Sequence, residues 1–235
     1  VVSKQLLPIY DKPMIYYPIS TLINSGISNI MIISTRIDQP LFKRLLGDGS
    51  QWSVEFEYAV QEEPEGIAQA LLIASKWLNN SPPILILGDN LFFGPELYKK
   101  ISKALINNSG ATLFGYEVKD PERFGVVEFD DNNKAISIEE KPKTPKSSWA
   151  LTGLYIFDKN AVNYTKLLKK SDRGEYEITD LNRVYLDKNN LSVVLLDKNF
   201  SWLDTGTHDS LLEASNFVKK TEMQLGLKVA ELKKR

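Results

Sequence analysis

Two apolar, β-branched runs, Asn29-Ile-Met-Ile-Ile-Ser-Thr35 and Pro83-Ile-Leu-Ile-Leu-Gly-Asp89, end in small or polar residues and are separated by amphipathic stretches. Alternation of this kind is produced by parallel strands joined by crossover helices, and near-continuous apolar runs predict central strands covered on both faces. Between them the pattern predicts a helix over residues 39–46, an alternating strand over 54–60 and a helix over 67–78. The expected fold is therefore α/β, with a doubly wound, Rossmann-like sheet. Further on, residues 125–129, 135–139 and 191–196 predict strands of a mixed or antiparallel sheet, with Asp130-Asp-Asn-Asn133 as a turn. Helices are expected over 159–169, 178–187 and 210–225, the last entered from Thr207-His208-Asp209, which can cap its first turn. The prolines and lysines of Lys141-Pro-Lys-Thr-Pro-Lys-Ser-Ser148 predict an exposed loop.

Charge and composition narrow the partners. Twenty-nine basic residues against 30 acidic ones give no long-range attraction for nucleic acid or an anionic membrane, so an anionic ligand must be held by a local site. The absence of cysteine excludes disulfides, thiolate metal sites and cysteine nucleophiles, and no apolar run reaches the roughly 20 residues of a membrane span. A cytoplasmic location is the simplest expectation. The start, Val1-Val2-Ser3, has neither a methionine nor a signal-peptide layout, as expected of a mature or truncated product.

In an open α/β sheet the ligand crevice lies outside the carboxyl ends of the strands. Asp89, in Leu87-Gly88-Asp89-Asn90, falls there, and Gly88 is expected to keep the backbone open to a ligand. Asp89 suits magnesium carrying nucleotide phosphates, or it caps the following turn. Asp204, in Ser201-Trp-Leu-Asp-Thr-Gly-Thr207, has the same two readings, and spacing alone does not show whether the two aspartates meet. Lys4, Lys141 and Arg173 are candidate phosphate-binding cations or solvated surface charges. Glu140 beside Lys141 suits a sugar phosphate, the carboxylate for hydroxyls and the ammonium for phosphate, or forms a strand-end ion pair. Gln61, in Gln61-Glu-Glu-Pro-Glu-Gly66, offers a donor and an acceptor to a base edge, and Gly66 permits close approach of backbone or base; an ordinary strand-to-helix turn is the alternative. The single histidine, His208, is expected at the surface or in a cap. There is no G-x-S-x-G elbow, Walker loop or G-x-G-x-x-G fingerprint. Trp149, Trp202 and the Tyr16-Tyr17 pair are expected in the core or an interface, with Trp202 kept in play by nearby Asp204.

Several segments, in this order, carry a resemblance: Ser3-Lys-Gln-Leu-Leu-Pro-Ile-Tyr-Asp-Lys-Pro-Met-Ile-Tyr-Tyr-Pro18, Leu46-Gly-Asp-Gly-Ser-Gln-Trp52, Gly88-Asp-Asn90, Asp120-Pro-Glu-Arg-Phe-Gly-Val-Val127, Glu139-Glu-Lys-Pro142, Thr152-Gly-Leu-Tyr155 and Trp202-Leu-Asp-Thr-Gly-Thr-His208. Together they resemble the sugar-1-phosphate nucleotidyltransferases, and within them the glucose-1-phosphate thymidylyltransferases, from Val1 to about Lys228. The resemblance implies a nucleotide-diphospho-sugar transferase fold with an inserted smaller antiparallel sugar-binding sheet. It implies one domain over residues 1–235, with a nucleotide-binding part over about 1–115, a sugar-binding part over about 116–205 and a C-terminal helix over about 208–230. By the same resemblance Asp89 and Asp204 are expected to hold Mg2+, Lys4 to contact the nucleotide phosphates, and Gln61 with Gly66 to contact the thymine. Phe124, Gly125, Glu140, Lys141, Leu151 and Arg173 are expected around the sugar phosphate, with Lys4, Lys141, Asp89 and Asp204 as the catalytic set.

The implied reaction is attack by a phosphate oxygen of glucose-1-phosphate on the α-phosphorus of dTTP, giving dTDP-glucose and pyrophosphate, for deoxysugar synthesis such as the dTDP-rhamnose route. A homotetramer is expected by the same resemblance. The alternatives are a UTP-using uridylyltransferase and a non-catalytic nucleotide-sugar-binding relative. Members of the family begin with a strand and a Gly-rich segment, and this sequence starts just beyond it, with a hole expected in the central sheet. Phe124 stands where the family commonly has tyrosine, and the tail over residues 222–235 is shorter than the family's helical end.

Overall fold

The computed structural model describes residues 2–232, so Val1 at the start of the sequence and residues 233–235 of its tail lie outside the described residues. The chain divides into two compact units, each drawn from separate stretches. Residues 2–60, 86–102 and 198–232 form the first; residues 61–85 and 103–197 form the second.

The second unit is built on the strand Trp149–Phe157, buried from Ala150 onward. It runs antiparallel to Ala111–Glu117 on one side and meets Gly125–Phe129 at Ala150↔Val126 on the other. Gly125–Phe129 pairs antiparallel with Ala135–Glu140, while Leu191–Leu196 adds in parallel to Ala111–Glu117, so the sheet is mixed. Ile84–Ile86 also pairs with the central strand. The helix Ile178–Asp187 buries Ile178, Leu181, Asn182 and Tyr185, the i, i+3, i+4, i+7 stripe of an amphipathic helix. Tyr185 stacks on Phe157 with centroids 5.6 Å apart, meets Tyr164 edge-on at 5.1 Å, and donates its hydroxyl to Asp158 Oδ1 at 2.7 Å.

In the first unit, Asn29–Ser34 pairs in parallel with Glu55–Val60, and Asn90–Phe93 pairs antiparallel with Ser201–Asp204. The helix His208–Leu225 packs Ala214 and Val218 against Ile9, Met14, Tyr17 and Leu91. Its start is a capping box. The Thr207 hydroxyl accepts from the Ser210 N–H at 3.1 Å, and the Ser210 hydroxyl accepts from the Thr207 N–H at 2.9 Å. Gly226, at φ +64°, stops the helix in the left-handed conformation that glycine adopts without a Cβ penalty. His208 is its exposed first residue, so the cap belongs to Thr207.

Three sequence expectations are corrected. The runs predicted to be covered on both faces are only partly so: Ile30 and Ile32 are buried while Met31 and Ile33 are half-buried, and all of Ile84–Ile86 is half-buried. Among the described residues Asn29–Ser34 pairs with a single neighbour, Glu55–Val60, so it also has an edge without a partner strand. The helix predicted over 67–78 is two short helices, Gln69–Ile73 and Ser75–Leu78, interrupted at Ala74 where ψ flattens to −5°. The helix predicted over 159–169 is limited to Ala161–Thr165; beyond it the backbone bonds tighten to i→i−3, Leu167 to Tyr164 and Leu168 to Thr165, and Leu167 is left 80% exposed while Leu168 packs on the core.

Tyr185 joins the helix to the sheet through both ring and hydroxyl. Tyr185→Ala is expected to destabilise the protein by about 3–5 kcal/mol, and Tyr185→Phe, which removes only the bond to the carboxylate, by about 1.5–3 kcal/mol. Urea unfolding that ranked the two variants equally would contradict this division.

Candidate active site

Of the candidate residues, Lys4, Asp89 and Asp204 belong to the first unit. The antiparallel register puts Asp204 opposite Asn90, the residue after Asp89. Thr205 then donates its N–H and its hydroxyl to the Asp89 carbonyl oxygen, at 3.1 and 2.7 Å. The two aspartates therefore sit at adjoining strand ends. Buried Trp202 donates its indole N–H to Asn90 Oδ1 at 2.6 Å, and Asn90 donates to Asp89 Oδ1 at 3.1 Å, so the tryptophan orients the carboxylate through the asparagine. The other carboxylate oxygen takes the Lys4 ammonium at 2.5 Å, from the 3-10 turn Lys4–Leu6.

These residues fit magnesium. The donors are hard carboxylate oxygens, of which Asp89 Oδ2 is paired with the Lys4 ammonium. Two carboxylates, completed by phosphate and water, suffice for Mg2+. Gly88 also serves the packing of the chain itself. A Cβ there would lie 3.1 Å from Gln5 Cγ and 3.4 Å from Ile15 Cδ1, so its bareness seats the chain's own Lys4–Leu6 turn.

The remaining eight candidates belong to the second unit, and six of them converge. Gly125 pairs with Glu140 across the sheet, and a Cβ on Gly125 would lie 3.4 Å from Glu140 Oε2 and 3.9 Å from Leu151 Cβ. Lys141 adopts φ +43°, donates its N–H to the Phe124 carbonyl at 3.0 Å, and holds its ammonium 4.0 Å from Glu140 Oε1. Phe124 thus contributes backbone, while its ring lies under the Arg123 guanidinium at 5.2 Å. Arg173 reaches to 3.9 Å of Glu140 Oε1 but is gripped by Glu177, with Nη2 at 2.8 and 2.9 Å from its two oxygens. Hydrogen bonding to Glu177 raises the Arg173 pKa further above its ordinary value. Beneath lies Tyr155, whose phenol is pushed up by burial and then by the negative charge of Glu140.

Gln61 and Gly66 form a second group. Gln61 Nε2 donates to Gln69 Oε1 at 2.5 Å and to the Gly66 carbonyl at 3.5 Å. Gly66, at φ +97°, does permit a close approach, and the approaching group is the backbone of Tyr176: a Cβ would lie 2.6 Å from its carbonyl oxygen.

Several participating residues were not identified from the sequence. Thr179 donates its hydroxyl to Glu140 Oε2 at 2.5 Å, and Glu177 holds Arg173; both follow Arg173 in Asp172-Arg-Gly-Glu-Tyr-Glu-Ile-Thr-Asp180, whose charge density was the available signal. Glu65 lies in the similarly charged Gln61-Glu-Glu-Pro-Glu-Gly66, whereas Asn90, Thr205 and Gln69 carry no such signal. Thr152 Oγ1 and both amide atoms of Asn182 are buried without a hydrogen-bond partner in the protein; Thr152 follows Leu151, and Asn182 lies one turn beyond Thr179.

Gly66→Ala combines a left-handed backbone with a clash against a neighbouring backbone. It is expected to cost about 1–3 kcal/mol of stability, measured by thermal or urea unfolding; a neutral effect would mean that the turn repacks freely.

The nucleotidyl transferase family matches residues 1–221. A glucose-1-phosphate thymidylyltransferase of Neisseria meningitidis is 53% identical over 229 residues, covering 97% of this chain and 80% of the relative. That of Mycolicibacterium smegmatis is 54% identical over 228 residues, covering 97% and 79%. Among solved structures, one assigned as a glucose-1-phosphate thymidylyltransferase from Bacillus anthracis, in complex with a sucrose, superposes with a TM-score of 0.85 at 40% identity, covering 92% of this chain and 87% of that one. A UDP-glucose pyrophosphorylase complexed with UDP-glucose shares the fold, with a TM-score of 0.82 at 22% identity over 93% of this chain and 90% of that one.

Proposed function

The chain belongs to the nucleotidyl transferase family, and from that premise we propose that it transfers the dTMP moiety of dTTP to glucose-1-phosphate, releasing pyrophosphate and forming dTDP-glucose. The observation that carries this reading is the pairing of Asp204 with Asn90, which brings two aspartates and the Lys4 ammonium to one sheet end. Relatives named for this activity match 97% of the chain at about half identity, which favours dTTP over the UTP alternative.

The chemistry asks for two anions to be aligned and their charge neutralised, with no covalent intermediate. Lys4 supplies a mobile positive charge to the nucleotide phosphates, and leaves Asp89 when it does so. Asp89 and Asp204 would hold magnesium. Bound there, the ion neutralises phosphate charge and acts as a Lewis acid. In the second unit, Glu140, held by Thr179, accepts hydrogen bonds from the sugar hydroxyls. Lys141 and Arg173 face the sugar phosphate, and Gly125 and Leu151 lie beside Glu140 and Thr179. Gln61 and the Gly66 turn contact the base. The reading extends to a cytoplasmic homotetramer supplying deoxysugar synthesis of the dTDP-rhamnose type, without nucleic acid or membrane as partner. The near-balanced charge supports this, and no helix among the described residues is long and apolar enough to cross a membrane.

The test is pyrophosphate release by the natural protein from glucose-1-phosphate with magnesium, with dTTP and UTP in competition. Preference for dTTP supports the reading, and preference for UTP overturns the base assignment. Asp204→Asn should lower magnesium-dependent turnover by more than about 100-fold with folding intact, since even an outer partner of a metal ligand is typically worth 10–100-fold; unchanged activity would remove the metal assignment. Lys141→Ala should raise the KM for glucose-1-phosphate about 10- to 100-fold, the value of one charge-assisted hydrogen bond. An effect on dTTP alone would assign the lysine to the other substrate.

A further inference from the structure

The Gln61 side chain is part of a chain of hydrogen bonds with an unambiguous direction. Gln69 accepts from the Glu65 backbone N–H on its Oε1, at 3.2 Å, and donates from its Nε2 to the Glu65 carboxylate, at 3.0 Å. A backbone N–H only donates and an ionised carboxylate only accepts, so the Gln69 amide has one permissible orientation. Its oxygen therefore faces Gln61, and Gln61 must present its NH2 to it. The Gly66 carbonyl is a second acceptor for the same NH2. Both faces of the turn thus claim the Gln61 nitrogen and leave its carbonyl oxygen as the group offered to a ligand.

The far end of the chain is anchored. Lys170 pairs with the second oxygen of the Glu65 carboxylate and lies over the Tyr176 ring at 5.4 Å. Tyr176 closes the arrangement through its backbone, donating to the Glu65 carbonyl at 2.7 Å and accepting from the Ala68 N–H at 3.2 Å. The same loop carries Arg173, so one segment supports both the base turn and the sugar-phosphate cation.

We propose that Gln69, Glu65 and Lys170 are positioning residues: they lock the Gln61 carboxamide with its oxygen outward, so that the turn accepts a base whose ring nitrogen carries a hydrogen and rejects one whose ring nitrogen is bare. This rests on Gln61 being the base contact. Thymine and uracil present the N–H; cytosine presents a lone pair at the same position, which would face the Gln61 oxygen as two acceptors without a proton between them. Lys170 and Glu65 are 40% and 32% exposed, so their pair is a weak contributor to stability, and its effect is on orientation.

The experiment compares kcat/KM for dTTP and dCTP, each with glucose-1-phosphate and magnesium, in the natural protein, backed by calorimetric binding of both nucleotides if turnover is lost. Gln69→Met is expected to cut the dTTP preference roughly tenfold or more, through the KM for dTTP with kcat little changed, and to add nothing in a Gln61→Ala background. Lys170→Met should give a smaller loss in the same direction, restored by Lys170→Arg, and carries the test if Gln69→Met does not fold. If Gln61→Ala collapses the preference while Gln69→Met and Lys170→Met leave it intact, the relay is wrong. The relay is also wrong if the Gln69→Met loss adds in full to that of Gln61→Ala. If Gln61→Ala itself leaves the preference unchanged, the assignment of Gln61 to the base fails, and the relay falls with it.

Discussion

The antiparallel pairing of Ser201–Asp204 with Asn90–Phe93 is the constraint on which the first unit's chemistry depends. It is a four-residue ladder, short for a strand pair, yet its register decides where two carboxylates emerge. A slip of one residue would move Asp204 to the opposite face and turn Trp202 away from Asn90. The register is secured at its end by the two hydrogen bonds from Thr205 to the Asp89 carbonyl, and at its centre by the bond from the Trp202 indole to Asn90. Trp202 therefore acts on Asp89 at one remove, from a position where it is almost entirely buried.

The second unit solves a different problem: it must hold charged side chains of both signs in place without burying any of them unpaired. Glu140 is reached by Lys141, Arg173 and the Thr179 hydroxyl, and Arg173 is reached by Glu140, Glu175 and Glu177. Because these groups are partly exposed, the network contributes little to stability pair by pair. Its value is preorganisation, since a forked guanidinium held along its Nε–Nη2 edge by Glu177 loses less freedom when it meets a phosphate. The stability comes from below, where Phe157, Tyr185 and Leu181 pack without exposure, each large side chain worth about 1.5–3 kcal/mol.

Glycines divide the site's geometry between them in ways that composition alone does not reveal. Gly66 lets one backbone lie against another, Gly88 seats the Lys4 turn, and Gly125 makes room beside Glu140 and Leu151. All three spaces are bounded by the chain itself, that of Gly125 by Thr179 Oγ1 at 3.3 Å and Glu140 Oε2 at 3.4 Å, so a bare backbone near a site also serves as a packing device. The loop from Lys170 to Tyr176 illustrates the consequence. It approaches Gly66 closely enough to bond its neighbours, and so becomes a support for a turn about a hundred residues away in sequence.

The sequence by itself determined the period of its elements and the chemistry available to them. Apolar spacing and local turn chemistry placed Gln39–Leu46, Ile178–Asp187 and Leu191–Leu196 correctly, and the Thr207 cap was legible because a cap involves only neighbouring residues. The order of its motifs identified the family, and with it the candidates Asp89, Asp204, Glu140 and Arg173. The tertiary structure decided what those residues touch. It paired Asp204 with Asn90, brought Thr179 to Glu140, and joined Gln61 to Gln69, Glu65 and Lys170. It also decided that Trp149–Phe157, for which no strand was predicted, is the most buried strand of the second unit. The physical reason is range. Periodicity and capping are fixed by residues a few positions apart, whereas strand register and hydrogen-bond partners depend on which distant segments share a burial surface, and no local spacing encodes that choice.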